Sequence, residues 1–460
     1  MKKGEIYEGK VVALDFPNKG KVICEGETVV IKNVILDQHV RFMISKKRNG
    51  KYEGRLLEVI SKSPLEFVMP SCPHAQDCGG CNYRTLPYEA QLELKKNQVK
   101  KLLDAVCDEY EFVGIEGSPV HEEYRNKMEF SFGDEVKNGP LKLGLHKRGS
   151  FHDIISVENC RNIDPDYRKI LEVTQHYFEK TGLDFYHKIN HEGYLRNLLV
   201  RKAVKTGEIL IDLITTTQTD FDLTEYTQLL KEIDYEGTLA GVLHTKNDSL
   251  SDAVINEGTK ILYGKDYIYE EILGLKFKIT PFSFFQTNSL GAEVLYSLAR
   301  QFILDSYKSS DKSMDGATLY DLYSGTGTIA QMMASVCKQV VGVEIIEEAV
   351  IAARENACLN GLDNCTFIAG DVLKALDGIE TLPDYIILDP PRDGIHPKAL
   401  DKIARYGVPY MVYISCKPTS LARDIKAFAE YGYQVEKVGC VDMFPNTVHV
   451  ETVCLLSKKP

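Results

Sequence analysis

The chain has 460 residues, is 44% hydrophobic and 26% charged, and carries a formal net charge of −11 with twelve cysteines. That length predicts two to three domains at ~150 residues each, no apolar run approaches the ~20 residues of a bilayer-spanning helix, and the net charge argues against a general nucleic-acid binder. The start, "MKKGEIYEGK", lacks the apolar core of a signal peptide, so the chain is expected to be cytoplasmic, where cysteines serve as free thiols, metal ligands or catalytic groups rather than disulfides.

Residues 1–60 hold twelve basic against eight acidic residues. A basic module on an acidic body suggests a local polyanion contact, although an ordinary solvated face has the same composition. The runs "GEIYEGKVVALD", "GKVICEGETVVIKNV", "QHVRFMISKKRNG" and "YEGRLLEVI" are β-rich and are parted by Gly, Asn and Asp turns. Five or so short strands in this length predict a small OB-like β-barrel, a shape used for oligonucleotides. The segment resembles the TRAM domain of RNA-modifying enzymes.

"SKSPLEFVMPSC" reads as a linker into a cysteine cluster. A helix is then predicted over Tyr88 to Val106, from the spacing of Leu92, Val99, Leu102, Leu103 and Val106. Strand-like and helical stretches alternate up to about residue 280, without an internal repeat. Beyond about residue 310 the strands "TLYDLY", "QVVGVEI", "CTFIAG", "DYIILD" and "PYMVYIS" alternate regularly with helical segments. This predicts an α/β fold with a Rossmann-like, doubly wound domain, whose ligands sit at the carboxyl ends of the strands. The expected organisation is a barrel over 1–60, an α+β central domain over 61–280 and the doubly wound domain over 281–460.

The first of those strands runs into "DLYSGTGTIA", where Gly325 and Gly327 allow a tight turn and close approach to a ligand. Glu344 ends the next strand, where an acid can hold ribose hydroxyls. Gly325-x-Gly327-x-x-Ala330 also meets a relaxed dinucleotide fingerprint. Asp321 decides between them, because it would repel a pyrophosphate but suits the amino group of S-adenosylmethionine. Asp371 in "AGDV" and Asp389 in "ILDPPRDG" end two further strands. Taken singly, each acid reads as a helix cap or a solvated loop. Acids at successive strand ends suit a cationic sulfonium cofactor better than a polyphosphate. "DPPR" also has the outline of the D/N-P-P-aromatic motif of amino-group methyltransferases, but Arg392 stands where the stacking aromatic belongs.

"YISCKP" places Cys416 one strand beyond Asp389, and "FPNTVHVETVCLL" carries His449 and Glu451. Carbon 5 of uracil is a poor nucleophile. Thiolate attack on carbon 6 makes carbon 5 enolate-like, and a base must then remove the carbon-5 proton so that the thiol can leave. Nucleophile, base and methyl donor must share one cleft, and Cys416, Glu451 and the cofactor loop supply all three. "YISCKPTSLARD", "DLYSGTG", "DPPRDG", "FFQTN" and "FPNTVHVET" resemble the motifs of RNA uracil-C5 methyltransferases over nearly the whole chain. The resemblance implies Cys416 as nucleophile, Glu451 as proton-abstracting base and Asp389 as the group that orients the uracil. It further implies cofactor contacts from Gln286, Tyr323, Glu344 and Asp389, with Thr328 and Asp371 beside them. Asn446 departs from the His often found at that position in the family.

"CPHAQDCGGCNYR" spaces Cys72, Cys78 and Cys81 unlike zinc knuckles or radical enzymes. Iron–sulfur clusters take four thiolates. Cys107 reads as core, and Cys160 is the next cysteine. Cluster-bearing uracil methyltransferases have the same Cys-x5-Cys-Gly-Gly-Cys pattern and a distant fourth Cys matching Cys160, which implies a 4Fe-4S centre. Asn82-Tyr83-Arg84 departs from the family's glutamine-containing continuation. The remaining cysteines, Cys24, Cys337, Cys358, Cys365, Cys440 and Cys454, read as core. Arg125, Lys127, Arg196, Arg201 and Lys202 are candidate phosphate contacts, against the plainer reading of solvated charge.

The sequence reading is an S-adenosylmethionine-dependent RNA (uracil-C5-)-methyltransferase with a 4Fe-4S cluster, acting on 23S ribosomal RNA, with no membrane association and no obligate protein partner. The rivals are the same chemistry on transfer RNA, a catalytically silent RNA-binding iron–sulfur protein, and an amino-group methyltransferase.

Overall fold

Alternation of apolar and polar residues closes the first sixty residues on themselves. In the computed structural model, which describes residues 1–308, 316–378 and 382–459, strands β1 (Ile6–Asp15), β2 (Lys19–Cys24), β3 (Glu27–Lys32), β4 (His39–Arg48) and β5 (Lys51–Ser61) form a closed barrel in the order β1-β2-β3-β5-β4. Val11, Val22, Val29, Ile31, Val40, Phe42 and Ile44 fill it. Closure removes the strand edges that a small open sheet would leave unpaired.

Helix α1 (Tyr88–Leu103) ends earlier than its apolar spacing predicts, because the Val106 and Cys107 amides both turn back to the Leu103 carbonyl. β6 (Glu111–Glu116) follows. The next strands are β7 (Lys127–Gly133), β8 (Lys142–His146) and β9 (Ile154–Ser156). After α2 (Pro165–Thr181) come β10 (Leu195–Lys202), β11 (Glu208–Thr215), α3 (Thr224–Lys231), β12 (Thr238–Lys246) and β13 (Thr259–Gly264). β7 to β13 make one sheet in the order β13-β12-β11-β10-β7-β8-β9. α2 starts on an Asp164 cap with Pro165 in its first turn and stops at left-handed Gly182. It covers the sheet with Tyr167, Ile170, Leu171 and Phe178.

The hairpin β14 (Ile268–Ile272) and β15 (Leu275–Ile279) leads through α4 (Ser289–Lys308) into the last unit. That unit runs β16 (Thr318–Leu322), α5 (Thr328–Met333), β17 (Gln339–Glu344), α6 (Glu347–Leu359), β18 (Cys365–Ala369), α7 (Val372–Ala375), β19 (Tyr385–Leu388), α8 (Pro397–Tyr406), β20 (Tyr410–Ser415), α9 (Pro418–Ala429), β21 (Tyr433–Val441) and β22 (Glu451–Lys458). Its sheet order is β18-β17-β16-β19-β20-β22-β21-β6. The five strands from β18 to β20 are parallel, as their regular alternation with helices predicts. β22 inserts antiparallel between β20 and β21, and β6 adds to the far edge from much earlier in the chain. The strand order reverses at β16, the switch point where such sheets bind ligands.

Most of the proposed phosphate contacts are internal. Arg201 is buried and donates from Nε to the Pro281 carbonyl at 3.1 Å and from Nη2 to that of Ser283. Arg196 binds the carbonyls of Asn247, Ser249 and Ser251. Lys202 pairs with Asp164 and Asp166 at 2.7 and 2.8 Å, and Lys127 pairs with Glu129 at 2.6 Å. Each is spent on acceptors that only the fold reveals. Arg125 alone remains beside the cleft, over the Phe444 ring at 5.3 Å. Cys358, expected in the core, is exposed on α6. Among the described residues no helix is long and apolar enough to cross a membrane.

Candidate active site

The loop after β16 is shaped by backbone that few residues tolerate. Tyr323, Gly325 and Gly327 have φ of 72°, 53° and 74°. A Cβ on Gly327 would lie 2.6 Å from Phe367 and 2.9 Å from Ala353. The turn delivers Thr328, which is buried, to the first position of α5. Asp321 is fully buried. Its Oδ2 accepts from the Ala330 amide at 3.0 Å, while Oδ1 has no partner. Burial and the neighbouring Asp389 and Glu344 carboxylates push its pKa well above the ordinary value. Glu344, at the end of β17, accepts from the amides of Gly325 and Ile346, both at 3.0 Å. Asp371 caps α7 by accepting from the Leu373 amide at 2.7 Å, so here the plainer reading of a helix cap is realised, at a strand end.

The thiol and the acids meet through sheet register. Ser415 pairs with Thr452 across β20 and β22, so one step further Cys416 faces Glu451. Leu388 pairs with Tyr413 across β19 and β20, which brings Asp389 to the same end of the sheet. Burial, Glu451 and Asp389 raise the Cys416 thiol to about 11, partly offset by Arg392. Burial and Asp389 raise Glu451 to about 8, and burial raises Asp389 to about 7. Cys416 stands two residues before Pro418, at the amino end of α9, where the helix dipole favours a thiolate. Glu344, Asp321, Asp389 and Glu451 thus form a connected line of carboxyls offset by Arg392 at one end. A pocket so charged, with an orphaned oxygen on Asp321, fits a ligand carrying an ammonium and a sulfonium.

Tyr296 on α4 was not visible in the sequence. It is buried among Asp389, Glu451 and Asp321, with the Gln286 side chain beside it. It lies in a helix of ordinary apolar pattern, and no local signal marks it. His449 is held neutral, its pKa lowered to about 4 by burial and by Arg392, Lys95 and Arg125.

The four cysteines lie in one neighbourhood. Burial first, then Cys81, Cys72 and Cys78, push the Cys160 thiol up to about 12. The Gly80 amide donates to Cys78 Sγ at 3.3 Å, and Asn162 Nδ2 donates to Cys81 Sγ at 3.2 Å. Arg148 clamps the loop through the carbonyls of Ala75, Gln76 and Cys81. The expected four-thiolate geometry is not formed, because among the described residues no three His, Cys, Asp or Glu groups converge on one metal position. The cysteines sit as neighbours, and two of them, Cys78 and Cys81, accept N–H donors. The N–H groups on sulfur and Arg84 alongside are donors of the kind that the thiolate ligands of an iron–sulfur centre would use.

A sheet with an acid-lined switch point beside a thiol and a buried carboxyl defines a methyltransferase. The family described as tRNA (uracil-5-)-methyltransferase matches residues 211–459. An uncharacterized RNA methyltransferase of Clostridium tetani is 50% identical over 460 residues, all of this chain and 99% of its own. One of Caldanaerobacter subterraneus subsp. tengcongensis is 48% identical over 459 residues, covering both chains fully. Among solved structures, the Pyrococcus abyssi tRNA (uracil-54, C5)-methyltransferase in complex with S-adenosyl-L-homocysteine superposes with a TM-score of 0.75. It is 25% identical, over 98% of this chain and 99% of that one. The chain belongs to the RNA uracil-C5 methyltransferase family and is an S-adenosylmethionine-dependent RNA methyltransferase.

Proposed function

We propose that the protein methylates carbon 5 of a specific uridine in 23S ribosomal RNA through a covalent Cys416–uracil adduct. The observation that carries the mechanism is the register that sets Cys416 opposite Glu451, with Asp389 at the neighbouring strand end. The target uridine leaves its stack and enters the cleft. Asp389 accepts from the uracil edge and holds the ring. Cys416 loses its proton to solvent through the half-open mouth, and its thiolate attacks carbon 6. The ring electrons collect at carbon 5 and the adjoining carbonyl. S-adenosylmethionine, when bound, supplies an electrophilic methyl group to that carbon. Glu451, once it has released its own proton to solvent, takes the carbon-5 proton, the carbon 5–carbon 6 double bond reforms, and the carbon–sulfur bond breaks to return the thiolate. Asp321 through Oδ1 would hold the methionine amino group, and Glu344 the ribose hydroxyls, with Gln286, Tyr323, Gly325, Gly327, Thr328 and Asp371 around them. Cys72, Cys78, Cys81 and Cys160 would hold a 4Fe-4S centre that shapes the RNA-facing surface. The chemistry needs no redox step.

The cysteine pattern and the TRAM-like barrel support ribosomal RNA. Transfer RNA is the second reading, favoured by the Pyrococcus tRNA (uracil-54, C5)-methyltransferase, which this chain matches end to end. The deciding experiment is transfer from labelled S-adenosylmethionine to unmodified 23S ribosomal RNA and transfer RNA side by side, with nucleoside mass analysis. Label as 5-methyluridine in ribosomal RNA, lost in Cys416→Ala, is expected. Label in transfer RNA alone overturns the substrate, and methylation that survives in Cys416→Ala overturns the mechanism.

A further inference from the structure

Glu451 is the first residue of β22, and its last ladder partner is Val441 at the end of β21. A terminal rung frays unless the connecting loop is anchored. The loop Asp442–Val450 is anchored on segments far away in the chain. Asn446, at φ 66°, has all four of its polar groups engaged. Its amide donates to Gln91 Oε1 at 2.8 Å and its Oδ1 accepts from Gln91 Nε2 at 3.3 Å. Its Nδ2 donates to the His121 carbonyl at 3.0 Å. Its carbonyl accepts two amides, those of Asn82 at 2.9 Å and Tyr83 at 3.1 Å, immediately after Cys81. Tyr124 holds the Pro445 carbonyl at 3.0 Å, and the fully buried Lys95–Asp442 pair, at 2.6 Å, pins the start of the loop. Asn446 and Gln91 are buried, so water does not replace these bonds.

Cys416 meets this anchor only indirectly, through the pairing of β20 with β22. It follows β20, a central strand paired on both sides, and precedes α9. The loop therefore bears directly on Glu451, and on Cys416 only across the strand pairing. Resting on the mechanism above, we propose that Asn446, held by Gln91 and by the amides after Cys81, is a positioning residue that sets Glu451 for removal of the carbon-5 proton. It does not serve thiol attack or methyl transfer. The cysteine loop is thereby tied mechanically to product release.

This predicts a defect that general loss of structure does not produce. If the base is misplaced, carbon 6 stays bonded to Cys416 and carbon 5 already carries the methyl group. Full-length Asn446→Gly keeps the left-handed backbone, and Gln91→Met keeps volume. Both are assayed on whichever RNA the wild type methylates, beside Glu451→Gln. In each variant, single-turnover transfer of labelled methyl to RNA is expected to stay within about threefold of wild type. Steady-state release of methylated RNA is expected to fall about tenfold or more. Label is expected to accumulate in a denaturant-stable protein–RNA complex. Cys81→Ser is expected to trap the same complex. If Glu451→Gln traps it but Asn446→Gly and Gln91→Met slow transfer and release equally, without a complex, the positioning role is wrong and the mechanism stands. Wild-type release from both variants overturns it likewise. If Cys81→Ser alone behaves as wild type, the link to the cysteine loop is wrong. No complex from Glu451→Gln overturns Glu451 as the base, and the inference with it.

Discussion

Arg392 is the cation set against the thiol. It lowers the Cys416 pKa where burial, Glu451 and Asp389 raise it. It is exposed at the mouth of the cleft, so its replacement leaves no hole in the core. Arg392→Gln is expected to reduce kcat/KM at neutral pH by about tenfold, one pKa unit of thiolate, and to recover part of that at higher pH. Arg392→Lys should keep most of the wild-type profile. A pH–rate series on the three proteins checks this, and a loss that is the same at every pH would show that Arg392 acts by contact instead. Glu451 has a stability consequence of opposite sign to most paired carboxylates. Its folded pKa is about 8 against an ordinary 4.5. A group raised in this way contributes its stability fully below the unfolded value and loses it as pH rises through the folded one. Glu451→Gln cannot ionise, so its melting temperature should gain on the wild type between about pH 5 and about pH 8.5. A constant difference over that range would place the wild-type pKa outside it.

At the scale of elements, the cofactor turn depends on Gly327. Any side chain there meets Phe367 and Ala353 and also pays for a φ of 74°. Gly327→Ala is expected to destabilise the protein by about 1–3 kcal/mol and to weaken S-adenosylmethionine binding, read together by calorimetric melting and titration. Unchanged binding would remove the turn from the cofactor site. This turn was legible because strand, glycines and helix are contiguous in sequence. The same holds for the five parallel strands, which are mostly apolar and alternate with helices. The thiol–carboxylate corner was legible only as two motifs 35 positions apart. What joins them is the 415–452 register, a long-range pairing with no local trace. The antiparallel insertion of β22 and the addition of β6 escaped for that reason. Arg196, Arg201 and Lys202 misled for a related one. A basic residue on a strand looks free until the carbonyls and carboxylates that occupy it are folded into place.

The whole molecule sets an acidic body against a polyanionic substrate. Its net charge is −11, yet residues 1–60 are basic. Within the barrel much of that basicity is neutralised locally, Lys10 by Asp37, Lys21 by Asp15, and Arg41 by Glu8 and Glu58. The tip of the β4–β5 hairpin differs, presenting Lys47, Arg48 and Lys51 exposed within five residues. An RNA repelled by the body and drawn to one module would be captured there before a uridine reaches Cys416. Affinity should then carry a salt dependence set by a few contacts, with a slope of roughly −0.7 per phosphate neutralised on a single strand. Replacing Lys47, Arg48 and Lys51 together by Gln is expected to make the plot of log K against log salt shallower by about 2. KM should rise, and single-turnover methyl transfer at saturating RNA should be unchanged, because the hairpin lies outside the cleft that holds Cys416 and Glu451. An unaltered slope would move the capture site off the barrel, to cations on the central sheet or beside the cysteine loop.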